Sequence, residues 1–225
     1  MSNPLRNIAI IPARGGSKRL PGKNLKTLGD LPLIAHSIRY AQQFPEYIHK
    51  IVVTTDDPEI AKIAQEYGAS VVKRPAVLAG DHEPVLSALQ HVLEAYSENY
   101  DAVVLLQPTN PLRPEGLLEE GMLRFRESKV DSLMSVSRFA EKYGTITGNS
   151  FVPENYAMGQ RSQDLEPRFR ENGLLYIIKC DSIKKGHILA KNNFALSVDH
   201  PYDRVDIDDA ADFAFAQAML NIEIP

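Results

Sequence analysis

The 225-residue chain has one cysteine, Cys180, so no intramolecular disulfide can form. That suits a reducing compartment, and the cytoplasm is the expected location. Cys180 follows the strand-like run LLYII and is expected to pack in or beside a strand as a small hydrophobe rather than act as a nucleophile. Long hydrophobic runs are missing as well. No apolar stretch approaches the ~20 residues that cross a bilayer. The N-terminal MSNPLRN is polar and the apolar run after it is short, so no signal peptide is expected. No membrane association is expected. There is also no surplus of positive charge: 25 Lys and Arg against 29 Asp and Glu leave a formal charge of −4. Bulk charge therefore does not hold nucleic acid, and any anion site must be a local cluster. The Walker pattern GxxxxGK[ST], the dinucleotide fingerprint GxGxxG and the nucleophile elbow GxSxG are all absent. The six histidines show no metal spacing such as HxxxH and read as surface or core residues.

What is present is ordinary for a globular protein: 44% apolar and 24% charged residues. The length fits one domain, 1–225, or one domain with an appended arm, and it can bury a large core without metal or disulfide staples. NIAIIP at 7–12 reads as a short buried strand stopped by Pro12, followed by a loop over 13–30. Residues 32–44 predict a helix with Leu33, Ile34, Ile38 and Ala41 on one face and Pro32 in its first turn. Strands follow at 50–55, 69–73, 101–106 and 130–137, with helices near 56–68, 83–97 and 115–127 between them. Strands return at 173–179 and 194–198, and a final helix starts at an Asp-rich segment. The alternation predicts an α/β chain, a Rossmann-like three-layer α/β/α arrangement with a mostly parallel sheet. From 139 to 170 no clean period survives, so this stretch reads as an inserted arm, lid or oligomer contact.

Ligands of open parallel sheets bind beyond the carboxyl ends of the strands. The segments that fall there are the 13–24 loop, Thr54–Asp57, Arg74, Gln107–Thr109 and the Asp206–Asp208 region. Residues 12–24 hold three glycines, two prolines and four basic residues. Gly15, Gly16 and Gly22 allow close backbone approach and positive φ. Arg14 can fork onto a phosphate, with Lys18, Arg19 and Lys23 as further charges. Taken alone, such a loop is either a solvated turn or a phosphate cradle. Asp206 and Asp208 alternate on an extended segment and so point the same way. They suit Mg²⁺, which takes carboxylates together with substrate phosphates and water; alternatively Asp208 or Asp209 caps the last helix. Together the basic loop and the D-x-D pair are a signature of nucleotidyl transfer. Lys142, Arg161, Arg168 and Arg170 form either a solvated face or a holder for an acidic co-substrate.

The segment IIPARGGSKRLPGKNL resembles the first motif of the acylneuraminate cytidylyltransferases, a family with relatives acting on legionaminic and pseudaminic acids. The likeness continues in order through KRPAVLAGD (73–81), LLQPTNPLR (105–113), RSQDL (161–165), FRENGLLYI (169–177) and RVDIDDAADF (204–213), nearly the whole chain. The resemblance implies a Rossmann-like fold, Mg²⁺ dependence and a homodimer whose arm reaches the partner's site. It implies transfer of CMP from CTP to the anomeric hydroxyl of a nine-carbon 2-keto sugar acid, with release of pyrophosphate. Carried onto matching positions, it places Arg14, Lys23 and Asn24 on the nucleotide, with Gly15 and Gly16 shaping the loop and Arg74 near the cytosine. Gln107, Arg161, Gln163 and Arg170 would meet the sugar, and Asp206 and Asp208 the metal. Arg14, Lys23 and Asp208 are the expected catalytic set, while the general base stays open between Asp208 and a metal-bound hydroxyl. AEKYG (140–144) departs from the family's His-Pro stretch, and His82–Val85 lacks its Thr/Ser-rich run. Two alternatives remain: a cytidylyltransferase for an eight-carbon sugar acid of lipopolysaccharide, which shares IIPAR and RLPGK, and a non-catalytic nucleotide-binding protein, for which the D-x-D pair has little use.

Overall fold

The computed structural model describes residues 5–96 and 99–222. Strand β1 (Asn7–Pro12) shows why its sequence is a continuous apolar run. Ile8 and Ile10 join one core cluster while Ala9 and Ile11 join another on the opposite face, and all four are fully buried. A two-residue-per-strand hairpin, β2 (Thr27–Leu28) and β3 (Leu31–Pro32), interrupts the expected loop and places Pro32 just before helix α1 (Leu33–Gln42). Then come β4 (Ile48–Thr55), α2 (Pro58–Glu66), β5 (Ser70–Lys73), α3 (Val85–Ala95), β6 (Ala102–Leu105), α4 (Leu117–Glu127) and β7 (Ser132–Phe139). Of the helix expected over 83–97, Ser97 lies outside the described residues. The Asp57 carboxylate accepts from the Glu59 and Ile60 amides at the start of α2, and Gly68 takes φ 86 just past its end, as the capping signals required.

The 139–170 stretch is more regular than its sequence suggests. It holds a hairpin, β8 (Gly144–Thr147) with β9 (Ser150–Pro153), and the first residues of β10 (Arg168–Lys179), twelve residues long. The hairpin strands are mostly exposed, so they lack the apolar alternation that marks a half-buried strand. After β10 come a short helix α5 (Cys180–Lys184), β11 (Asn193–Ser197) and α6 (Ala210–Met219).

The main sheet has seven strands in the order β11-β7-β10-β6-β1-β4-β5. All pairings are parallel except those of β10, which runs antiparallel between β6 and β7. Helices α1, α2 and α4 contribute Ile34, Ile38, Ile60, Ala64, Leu118 and Met122 to the core on one face. Helices α3 and α5 contribute Leu89, Val92 and Ile183 on the other. This is the expected three-layer fold. A third cluster joins α6 to Leu20, Leu28, Val205 and Ile207, docking the C-terminal segment beside the loop after β1.

Cys180 opens α5 directly behind β10, 4% exposed, and burial raises its thiol to about 11. A raised thiol stays protonated at neutral pH, and the thiolate is the nucleophile. Alkylation by iodoacetamide at pH 7.5 is therefore expected to run about two orders of magnitude slower in the folded protein than in urea. Equal rates in both states would place Cys180 in a reactive environment instead.

Candidate active site

The carboxyl ends of four neighbouring parallel strands meet at one cleft of about 550 Å³. Strand β1 delivers Pro12 and Arg14, β5 delivers Arg74, and β6 delivers Gln107, Pro108 and Thr109. Strand β4 supplies the Thr54 carbonyl, which binds the Ala13 amide at 3.0 Å and the Arg74 guanidinium at 2.7 Å. The volume lies in the range of small-molecule sites. The four cations of the N-terminal loop, Arg14, Lys18, Arg19 and Lys23, all line it.

The loop is held by its backbone. The Gly15 amide donates to Asp56 Oδ1 at 3.0 Å. A side chain at Gly15 would place its Cβ 2.6 Å from Asp57 Oδ2, so this glycine makes room for the carboxylate that caps α2. Neither Gly15 nor Gly16 takes positive φ or lines the cleft; of the three loop glycines it is Gly22, at φ 66, that uses the left-handed freedom, entering a 3-10 turn over Lys23–Leu25. Asn24 lines the cleft but is 6% exposed, and its amide donates to the Arg14 carbonyl at 3.0 Å. It fixes the shape of the loop, a role that a sequence motif does not reveal.

The side chains of the loop divide between two carboxylates. Arg14 Nη1 lies 2.8 Å from Asp81 Oδ1, and Lys18 Nζ contacts Asp81 Oδ2. Arg19 Nη2 lies 2.7 Å from Asp208 Oδ2, and Lys23 Nζ lies 3.3 Å from Asp208 Oδ1 and 2.7 Å from the Ile207 carbonyl. The Lys18 ammonium, and with it Arg14, holds the Asp81 carboxyl below the usual carboxylate range. Arg74 is 7% exposed, and desolvation lowers its pKa while Asp56 opposes the shift.

The D-x-D segment has the alternation its spacing requires. Val205 and Ile207 are buried in the third cluster, while Asp206 and Asp208 sit on the outward side. The Ile207 amide donates to the Thr109 carbonyl at 2.8 Å, which sets this segment against the end of β6. Partial desolvation, then the neighbouring Asp208 charge, raises the Asp206 carboxyl. Capping of α6 belongs to the next residue: Asp209 accepts from the Ala211 and Asp212 amides, and Asp212 accepts from the Asp208 and Asp209 amides. Asp208 is thereby released from capping and lines the cleft. Among the described residues no group of three or more His, Cys, Asp or Glu side chains is arranged to hold a metal ion. Two adjacent hard oxygen donors whose charges repel fit a divalent cation that completes its shell with water and phosphate.

Two buried residues that the sequence does not single out brace the segment after β6, though neither lines the cleft. Arg113 donates to the Leu174 carbonyl (2.8 Å), the Ser37 hydroxyl (3.2 Å) and the Gln107 carbonyl (3.0 Å), and its guanidinium stacks 5.4 Å from the Tyr40 ring centre. Asn110 donates to the carbonyls of Asn172 and Val205 at 3.2 and 2.9 Å, tying the loop after β6 both to β10 and to the D-x-D segment. Gly173, at φ 73, is required here, because a Cβ would lie 2.4 Å from Asn110 Oδ1.

The arm residues stand apart from the cleft of the single chain. Arg161 pairs with Asp164 through two bonds of 2.7 and 3.0 Å. Gln163 is exposed in the 3-10 turn Ser162–Asp164. Arg170 donates to the Asp203 carbonyl at 3.2 Å, Arg168 donates to the Tyr143 hydroxyl at 2.6 Å, and Lys142 contacts the Gln160 carbonyl. None of these five lines the cleft.

Residues 8–215 match the family described as Cytidylyltransferase. The chain is 34% identical over 220 residues to the N-acylneuraminate cytidylyltransferase of Escherichia coli O18:K1:H7, covering 93% of this chain and 51% of that protein. It thus spans about half the length of that relative. It is 33% identical over 234 residues to the CMP-N,N'-diacetyllegionaminic acid synthase of Legionella pneumophila, with 97% of each chain covered. Among solved structures, a CMP:2-keto-3-deoxy-manno-octonic acid synthetase complexed with CTP superposes with a TM-score of 0.72 at 20% identity, over 96% of this chain and 98% of that one.

Proposed function

The chain belongs to the cytidylyltransferase family, and on that premise we propose that it transfers CMP from CTP to the anomeric hydroxyl of a nine-carbon 2-keto sugar acid and releases pyrophosphate. The observation that carries the reading is the cleft itself: four cations of one loop line it at the ends of parallel strands, and two of them, Arg19 and Lys23, face the Asp208 carboxylate. The two curated relatives are named for N-acylneuraminate and N,N'-diacetyllegionaminic acid, which favours the nine-carbon class.

In this reading Arg14, Lys18, Arg19 and Lys23 take the triphosphate. The anomeric hydroxyl gives up its proton to solvent as its oxygen bonds to the α-phosphorus; the bond from that phosphorus to the bridging oxygen breaks, and the electron pair leaves with pyrophosphate. The protein positions groups and neutralises charge, which accounts for most of the catalysis in such transfers. Lys23 is 11% exposed at its side chain and pinned to the Ile207 carbonyl, so it meets developing charge with little rearrangement. Gln107 at the end of β6 offers its amide to the sugar. Asp206 and Asp208 would hold Mg²⁺, which supplies charge neutralisation at the phosphates and polarises the α-phosphoryl oxygen.

The chain is further proposed to work as a homodimer. Ile146, Phe151, Val152, Met158 and Phe169 of the arm and the start of β10 are exposed apolar side chains, the kind of surface a second copy covers. That arrangement would bring Arg161, Gln163 and Arg170 to a partner's cleft.

Pyrophosphate release from CTP and Mg²⁺ tests the function, with sialic, legionaminic, pseudaminic and eight-carbon sugar acids as acceptors. Release is expected with at least one nine-carbon acid. Release with the eight-carbon acid alone would move the chain to that branch, and nucleotide binding without release from any acceptor would favour a binding protein.

A further inference from the structure

We propose that Asp81 is a resident stand-in for a phosphate and sets how tightly the cleft holds nucleotide. The inference rests on the cytidylyltransferase reading of the site and adds a positioning residue to it. Asp81 lies between the 3-10 turn Ala76–Leu78 and α3, and it faces the basic loop across the cleft. Its carboxylate partners are Arg14 and Lys18, two of the four cations that would receive the triphosphate. Asp208, the matching carboxylate on the other pair, has a second role in the D-x-D segment.

Asp81 does not hold the loop together. The loop backbone is fixed by the Ala13 amide on the Thr54 carbonyl, the Gly15 amide on Asp56 and the Asn24 amide on the Arg14 carbonyl, each at 3.0 Å. What Asp81 fixes are the ends of two long cationic side chains, and Lys18 is 81% exposed, so this end of the site opens to solvent. An incoming triphosphate must take Arg14 and Lys18 from Asp81 or share them with it. A carboxylate held beside a polyanion opposes binding of that polyanion. Asp81 thereby keeps the cations arranged in the empty cleft and lets anionic nucleotide and pyrophosphate leave.

The test is calorimetric binding of inorganic tripolyphosphate, CTP and cytidine to the wild type, Asp81→Asn and Asp81→Glu. Tripolyphosphate and CTP are expected to bind Asp81→Asn about tenfold more tightly, the sign that removal of a repelling charge dictates. Uncharged cytidine should bind it unchanged, and Asp81→Glu should behave as the wild type. Asp81→Ser removes the same charge with a smaller side chain and gives an independent reading should the asparagine variant fold poorly. Unchanged or weaker tripolyphosphate binding by a variant with wild-type thermal unfolding overturns the proposal, as does loss of cytidine binding, which would make Asp81 a nucleoside ligand. A wild type that binds tripolyphosphate but not CTP would instead sink the nucleotide reading, while the tripolyphosphate comparison still decides the role of Asp81.

Discussion

Asp208→Asn is expected to lower kcat by at least about 10³-fold while leaving the unfolding temperature nearly unchanged, because metal-assisted charge stabilisation is worth several kcal/mol. The substitution keeps the size of the side chain. Its one carbonyl oxygen can still accept from Arg19 or Lys23, and Lys23 keeps its bond to the Ile207 carbonyl, so the loop stays anchored although the new amide nitrogen cannot accept the second contact. What is lost is the negative charge that Mg²⁺ would bind. The adjacent residue supplies the control. Asp209 accepts from the Ala211 and Asp212 amides at the start of α6, so Asp209→Ala should cost about 1 kcal/mol of stability, with kcat intact. Two neighbouring carboxylates are thus expected to fail in opposite ways, one in chemistry and one in folding. Steady-state pyrophosphate release and thermal unfolding on both variants check this. Near-normal kcat in Asp208→Asn at saturating Mg²⁺ would remove Asp208 from the metal site.

That division was half legible in the sequence. The alternation of Asp206 and Asp208 followed from the spacing, since residues two apart on an extended segment point the same way, and Val205 and Ile207 are buried on the other side. Which aspartate would cap α6 did not follow, because Asp208 and Asp209 both stand near the helix start, and the choice depends on where the backbone turns. The same contrast runs through the fold. Strand β1 could be read from NIAIIP because both of its faces are covered. The β8–β9 hairpin could not, because it is mostly exposed and leaves no apolar period. In the loop after β1 the cations were evident from composition. The partner of Gly15 is a carboxylate 41 residues away and that of Arg14 one 67 residues away, so the fold brings them together. Asn24 reads as a nucleotide contact from its motif; it lines the cleft, and its amide also donates to the Arg14 carbonyl, a bond that the motif does not reveal. Asp81 and Arg113 sat within quoted motifs, yet nothing in their spacing said what they would hold.

Arg113 carries the largest expected effect on stability. It is a buried guanidinium that uses carbonyls and a hydroxyl as partners, and burial pulls it down to about 10, still charged at neutral pH. Its three acceptors belong to separate pieces of the structure: Leu174 in β10, Ser37 in α1 and Gln107 in the lining of the cleft. Arg113→Met keeps much of the apolar stem but leaves buried carbonyls without a donor, at about 1–3 kcal/mol for each group left unsatisfied. A total loss of about 3–4 kcal/mol is expected, or about 10 °C in Tm for a chain of this size. Arg113→Lys separates charge from geometry. One ammonium cannot reproduce a planar fork aimed at three acceptors, so lysine should recover only a minor part of the loss. The CTP affinity of both variants should fall along with stability, because the Gln107 carbonyl anchors the segment that closes the cleft beside Thr109. Full stability in Arg113→Lys would mean that the site requires a buried positive charge and not the fork, and the loop after β6 would then be held by Asn110 and its two carbonyl partners.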